Sequence, residues 1–190
     1  MKRAFIMTAL CLLLLPCGCR KTETQKASRV PVATERAPEE GESQTPYYSG
    51  LIEEYRTILA EDPNNLAAIT ALGNAYFNNG QWSEAITMYE RALLINPKDA
   101  DVRTDLGTAY RNIGMTDRAL AEYRTALEHD PGHLTARYNT GVVYASNKKN
   151  YKEAIRIWEE LLKIAPNYPE AEQMKSMIMT LKKALKKEVR

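Results

Sequence analysis

The chain has 190 residues, 44% of them hydrophobic and 26% charged, with a formal net charge of +2, three cysteines and two histidines. That is room for one domain of ordinary size, and so small a basic excess excludes a general nucleic-acid binder, which must replace many counterions. Cys11, Cys17 and Cys19 all lie within the first nineteen residues, so the body of the chain holds no disulfide, Cys-ligated zinc site or thiol nucleophile.

Lys2 and Arg3 precede an apolar run from Ala4 to Leu15. As a helix it would be about 18 Å long at roughly 1.5 Å per residue, too short for a bilayer core of about 30 Å. A basic start, a short apolar stretch and small residues form the pattern of a secretory signal. The stretch Leu15-Pro16-Cys17-Gly18-Cys19-Arg20 resembles a bacterial lipoprotein signal, in which a cysteine after a small residue is lipidated and becomes the new N-terminus. Cys19 fits that role better than Cys17, because Gly18 precedes it while Pro16 precedes Cys17. Pro16 departs from the pattern, which has Leu three residues before the cysteine. The resemblance implies a signal peptide over residues 1–18 and a chain exported and lipid-anchored in the bacterial envelope, facing the periplasm. Arg20 in place of Asp after the cysteine leans toward the outer membrane. Removing residues 1–18 leaves 24 basic and 24 acidic residues, so the small positive charge belongs to the signal.

Residues 19–46 are rich in Thr, Ser, Glu and Lys, with Pro31, Pro38 and Pro46 and no aromatic side chain. Such a composition cannot bury enough apolar surface to offset its ordering entropy. It is expected to be a disordered tether with a root-mean-square reach of about 30 Å.

From there the apolar residues take helical spacing. In the flanking segment 47–65, Leu51, Ile52, Tyr55, Ile58 and Leu59 form one stripe that ends at Asp62-Pro63. Three units follow, at 66–99, 100–133 and 134–167, with a period of 34 and one inserted residue in the last. Gly73, Gly107 and Gly141 share one repeat position; Tyr76, Tyr110 and Tyr144 share another. Ala85, Ala119 and Ala154 follow, then Tyr89, Tyr123 and Trp158, and finally Pro97, Pro131 and Pro166. A fixed period of this length is the signature of a solenoid. Within the first unit, Leu66, Ile69, Leu72 and Tyr76 make one stripe, Asn78-Asn79-Gly80 interrupts it, and Ala85, Ile86, Tyr89, Ala92 and Leu93 make a second. Asn96-Pro97 stops the second helix, because proline lacks the amide and pushes its predecessor out of the α region. Each unit is thus predicted to be a helical hairpin, tightly crossed where Gly73 meets Ala85. In the closing segment 168–190, Pro169 is expected to start a helix. Ala171, Met174, Ile178, Leu181 and Leu185 lie on one side of it, and lysines on the rest cap the solenoid.

Leu72-Gly73, Tyr76, Ala85, Tyr89, Ala92 and Pro97, matched by Leu106-Gly107, Tyr110, Ala119, Tyr123, Ala126 and Pro131, resemble the tetratricopeptide repeat family over about 100 residues. The third unit is looser, with Thr140 before Gly141, Leu161 for the second alanine and an extra residue in Lys148-Lys149-Asn150. The resemblance implies an all-α, right-handed α-solenoid of about three hairpins plus flanking helices, whose first helices line a concave groove. It assigns to that groove Ala67, Thr70, Asn74, Phe77 and Asn78; Asp101, Thr104, Thr108, Arg111 and Asn112; and Thr135, Tyr138, Val142, Ala145 and Ser146. Phe77, Arg111 and Tyr138 are the candidate anchors, since aromatic residues and Arg dominate binding hot spots, although Phe77 and Tyr138 suit the core equally well. Asn74, Asn78 and Asn112 can hydrogen-bond the main chain of an extended peptide or partner helix. Thr70, where chaperone-binding members carry lysine, argues against a chaperone-tail receptor.

His129 and His133 flank the loop Asp130-Pro131-Gly132 and do not share a helix face, so they read as loop residues and not as a zinc pair. The stretch from Lys163 to Arg190 is basic and the rest of the exported chain acidic, which reads as a solvated cap or a membrane-facing helix. The chain has no phosphate loop, nucleophile elbow or H-E-x-x-H. The expectation is therefore a scaffold without enzymatic activity, metal or cofactor, with protein partners in the groove, a membrane reached through the lipid, no nucleic acid and an open oligomeric state. Lipoproteins of this architecture that assist pilus secretin assembly are the family resemblance for its role. The alternative is an accessory subunit that presents or regulates a peptidoglycan-processing enzyme.

Overall fold

In the computed structural model, described over residues 45–188, the chain forms helices α1 (Thr45–Glu61), α2 (Leu66–Asn78), α3 (Trp82–Ile95), α4 (Ala100–Asn112), α5 (Thr116–His129), α6 (Leu134–Ser146), α7 (Tyr151–Ile164) and α8 (Ala171–Glu188). No strand occurs among the described residues. The expected signal, Cys17, Cys19 and most of the expected tether lie outside the described residues. Thr45 and Pro46, assigned by composition to the tether, begin α1, because proline in a first turn gives up an amide that has no partner there anyway.

Each helix packs chiefly on its neighbours in the chain, and α4 also touches α6, so the first helices of successive hairpins line one side. Asn65, Asp99 and His133 occupy one repeat position, and each side chain accepts the amide hydrogen three residues on, from Ala68, Val102 and Ala136. These caps satisfy a backbone donor that the helix start leaves open and contribute about 1 kcal/mol each. Allowing for the inserted residue, the corresponding position before α8 is Tyr168, which lacks a capping acceptor. The helix accordingly begins at Ala171 instead of Pro169, and the carbonyl of Glu170 accepts from the Met174 amide at 2.8 Å.

The glycines explain the hairpin geometry more specifically than a close approach of axes. A Cβ on Gly73 would stand 2.8 Å from the Tyr89 ring, and one on Gly107 would stand 2.6 Å from the Tyr123 ring. On Gly141 it would collide with the Trp158 indole. Each glycine is the seat for an aromatic ring from the second helix, and Tyr89, Tyr123 and Trp158 are accordingly almost wholly buried. Between hairpins, the Tyr110 hydroxyl donates to Glu90 at 2.6 Å, while Arg118 lies over its ring.

Two apolar clusters result. One runs from Ile52 and Tyr55 through Leu72, Tyr89, Leu106 and Tyr123 to Val143. The other gathers Ala154, Ile155, Trp158, Leu161, Met174 and Ile178, and α6 contributes to both. No helix among the described residues is long and apolar enough to cross a membrane.

Candidate functional site

The face formed by α2, α4, α6 and α8 changes character along its length. At its start, Ala67, Asn74 and Asn78 are exposed, and Thr70 and Phe77 are half-buried, with Phe77 packed against the core. Asn74 is already occupied, since its carboxamide oxygen accepts from the Tyr89 hydroxyl at 2.8 Å. At the same position of the next unit, Thr108 lies 3.1 Å from the Tyr123 hydroxyl and accepts from the Asn139 amide at 3.3 Å. These two groove residues hold the ring that sits on the glycine, so part of their hydrogen-bonding capacity is spent inside the protein.

Thr104 does not reach the groove. It is 2% exposed, and its hydroxyl donates to the Ala100 carbonyl at 2.8 Å, because a buried helical threonine satisfies itself on the preceding turn. Asp101 is exposed and accepts from His133 at 2.9 Å. Since the other ring nitrogen of His133 takes the Ala136 amide hydrogen at 3.1 Å, Nε2 carries the proton that goes to Asp101. His133 is thus a cap and an interhelical link, more than a passive loop residue.

Beneath Asp101 lies Asp105, a residue that the groove pattern omits. Burial, reinforced by Asp101 and Asp99 and opposed by His133, pushes its carboxyl up to about 6. It makes no hydrogen bond or ion pair with another described residue. Its charge also helps to raise the hydroxyls of Tyr89 and Tyr123, for which burial is the larger cause. Four residues along from the Thr108 ring clamp, Asn112 is half-buried. Arg111 is half-buried too, and its positive charge eases deprotonation of both Tyr123 and Tyr138. No carboxylate among the described residues stands within ion-pair distance of it. A guanidinium near enough to act on two tyrosine hydroxyls, and without a counter-ion among the described residues, is well suited to an incoming carboxylate.

The far end is apolar. Tyr138, Val142, Ala145 and Ser146 of α6, with Trp158 of α7 and Met177 and Leu181 of α8, line an open cavity of about 520 Å³. Tyr138 stacks on Trp158 with ring centres 6.3 Å apart and meets Tyr168 at 5.8 Å. The Trp158 indole donates to the Tyr138 carbonyl at 3.1 Å. Thr135 stays exposed at the edge, and burial raises the Tyr168 hydroxyl while Thr135 partly offsets it. The α8 contribution could not be read from the repeat pattern, because the side of α8 that faces this cavity only becomes defined once the helix has docked.

The fold and this face define an α-solenoid of helical hairpins. Three family models cover residues 54–169 without a gap: a tetratricopeptide repeat over 54–87, a TPR repeat over 73–114 and a tetratricopeptide repeat over 104–169. The chain is a tetratricopeptide repeat protein. Among solved structures it is similar to a crystal structure of MamA, with a TM-score of 0.61 and 26% identity over 74% of this chain and 88% of that one. A second MamA crystal structure gives 0.60 and 25% over 75% and 81%. MamA 41-end from Desulfovibrio magneticus RS-1 gives 0.61 and 18% over 65% and 70%, a likeness of fold alone. No curated protein sequence matches the chain.

Proposed function

We propose that the chain is a non-enzymatic scaffold that holds a protein partner on the face of α2, α4, α6 and α8, and that it is exported and lipid-anchored through Cys19 in the bacterial envelope. The observation that carries the binding role is the order of groups along that face. Arg111 on α4, without an ion-pair partner among the described residues, precedes along this face the apolar cavity bounded by Tyr138, Val142, Met177 and Leu181, and its charge is felt at Tyr138. That order fits an extended peptide or a helix in which an acidic residue is followed by a large apolar one. The carboxylate would pair with Arg111, the apolar side chain would fill the cavity, and Asn78 and Asn112 would bond main-chain groups at the rim. A buried aromatic anchor beside a desolvated Arg is the usual make-up of a binding hot spot.

A photo-crosslinking residue at Ser146, on the cavity rim, tests this in intact cells, with Thr87 on α3 as the control position. A defined partner should be captured from Ser146 and not from Thr87, and Arg111→Ala should lower capture by about tenfold or more, the scale of a hot-spot loss. Equal capture from both positions, or capture indifferent to Arg111→Ala, would reject this face. Mass spectrometry of the purified N-terminus tests the anchor, and an unmodified terminus beyond Cys19 would reject it.

A further inference from the structure

The third hairpin lacks two carboxylates on which the second relies. In the second, Arg103 gives Nε and Nη2 to the Pro97 carbonyl and Nη1 to Glu122 at 2.9 Å. Its counterpart Arg137 gives Nη2 to the Pro131 carbonyl at 2.8 Å, but Ile157 stands at the repeat position of Glu122. The Arg137 Nε is buried without a partner, and its Nη1 makes no bond with another described residue. A similar loss recurs toward the end of α6. The Tyr110 hydroxyl donates to Glu90 at 2.6 Å, whereas the Glu90 position of the next unit is Arg124, and the Tyr144 hydroxyl makes no such bond. Arg124 is exposed and has no ion-pair partner among the described residues. With Thr140 at a leucine position, these changes open a cleft of about 200 Å³ walled by α5, α6 and α7.

We propose that this cleft is a carboxylate-binding site, in which the side chain of one glutamate or aspartate of a partner protein takes the part that Glu122 plays in the second hairpin. Charge selects this occupant. Arg156 is engaged, bonding Glu153 at 3.0 Å and Glu160 at 2.7 Å, while Arg124 and Arg137 are not. Three arginines against two glutamates give the lining a net charge of +1, which one carboxylate balances and a phosphate, at about −1.5 to −2, overshoots. A half-buried guanidinium short of acceptors is costly, and a bound carboxylate offsets that by meeting its paired N–H groups.

Size and shape agree with charge. Leu120, Leu127 and Ile157 offer apolar surface to the methylene stem of the incoming side chain. The cleft is smaller than the roughly 300–1,000 Å³ of small-molecule pockets, so it takes a single side chain and not a cofactor. Helical spacing sets Arg137, Thr140 and Tyr144 on the side of α6 away from Tyr138, Val142 and Ala145, and the cleft shares no lining residue with the apolar cavity beside α8. It is therefore a point of attachment separate from the groove.

Titration of the full chain in non-ionic detergent with N-acetyl-glutamic acid α-amide, followed by nuclear magnetic resonance, tests the site. The Arg137 Nε–H signal, identified by its loss in Arg137→Lys, and the backbone amides of Thr140 and Tyr144 should shift and saturate. The N-acetyl-glutamine α-amide should leave them in place. Glutarate and inorganic phosphate, which carry further negative charge, should bind no more tightly. Arg124→Gln should weaken binding at least threefold. Ile157→Glu, which supplies the carboxylate from within, should weaken it tenfold or more. Circular dichroism checks the helices, and Arg124→Gln, at an exposed position, carries the test should Ile157→Glu lose them. The absence of a saturable shift, equal shifts with the glutamine analogue, tighter binding of glutarate or phosphate, or an affinity indifferent to either substitution in the folded protein would overturn the proposal.

Discussion

The first two hairpins and the third share one backbone plan but complete it with different chemistry. In the first two, a tyrosine sits on the glycine and its hydroxyl reaches a polar residue of the first helix, Asn74 or Thr108. In the third, Trp158 takes the tyrosine's place and Val142 that of the polar residue, while the indole bonds a backbone carbonyl instead. The neighbouring positions shift in step. Thr140 replaces Leu72 and Leu106, leaving an open cleft of about 200 Å³ that it shares with Arg124, Arg137 and Tyr144. Arg103 pairs with Glu122 at 2.9 Å, but its counterpart Arg137 faces Ile157 and keeps a buried Nε without a partner. A repeat can therefore trade a satisfied polar face for an apolar cavity without changing its fold, and in this chain that exchange creates the cavity beside α8.

The sharpest way to break the comparison is to add a methyl group at the ring seat. Gly107→Ala asks the Tyr123 ring to move by a few tenths of an ångström, and its hydroxyl contact with Thr108 can follow. Gly141→Ala asks more, because the Trp158 indole is larger and is fixed by its bond to Tyr138. Overpacking a well-filled site costs about 1–3 kcal/mol, so Gly107→Ala should fall at the low end and Gly141→Ala at the high end. Urea unfolding of both variants measures the difference. Equal losses would show that the two seats are equally compliant.

A smaller effect separates the charged middle from the apolar end. The carboxyl of Asp105 is raised by burial first and then by Asp101 and Asp99, while His133 opposes the shift. An acid raised to about 6 binds more protons folded than unfolded, so its stabilising contribution is complete below about pH 4 and is lost as the pH rises through about 6. Asp105→Asn removes that dependence. It should stabilise the protein by about 1–2 kcal/mol near neutral pH and leave it almost unchanged near pH 4. Thermal melts at the two pH values decide the matter, and a gain of the same size at both would show that charge is not the cause.

Much of this was legible because it recurs. Gly73 with Tyr89 and Gly107 with Tyr123 announce a hairpin through position alone, and Asn96-Pro97 marks where a helix stops. The groove is less legible, for a reason of the same kind. Repeat positions say which residues face one side, but not which are already engaged. Thr104 turns back to its own helix, Asn74 and Thr108 hold tyrosines, and His133 caps α6 while bonding Asp101. The repeat pattern does not single out Asp105, because its neighbours Asp99, Asp101 and His133 come from different turns and different helices. The contribution of Met177 and Leu181 to the cavity depends on how α8 docks, and α8 lies outside the three repeats whose recurrence supplies a register.

The inserted residue of the third unit gives the finest comparison. In the first two loops the left-handed position is a glycine, Gly80 or Gly114, and in the third it is Lys149, at φ 51°. In each loop the next residue donates its amide to the carbonyl of the repeat tyrosine: Gln81 to Tyr76, Met115 to Tyr110 and Asn150 to Tyr144. The insertion is thus absorbed by moving the left-handed residue one place along while that bond is kept. Asn150 also caps α7 by accepting the Glu153 amide hydrogen at 3.2 Å, a cap that the side chains of Gln81 and Met115 do not provide. A side chain in the left-handed region costs about 1–2 kcal/mol, and glycine loses about 0.5–1 kcal/mol more entropy on folding. Lys149→Gly should therefore stabilise the protein by about 0.5 kcal/mol. Gly114→Ala, which puts a side chain where the backbone is left-handed, should cost about 1 kcal/mol. Hydrogen exchange of the α6 and α7 amides resolves effects of that size, and slower exchange in Lys149→Gly is the expected sign. Faster exchange would mean that the lysine makes a contact worth more than the backbone strain it bears.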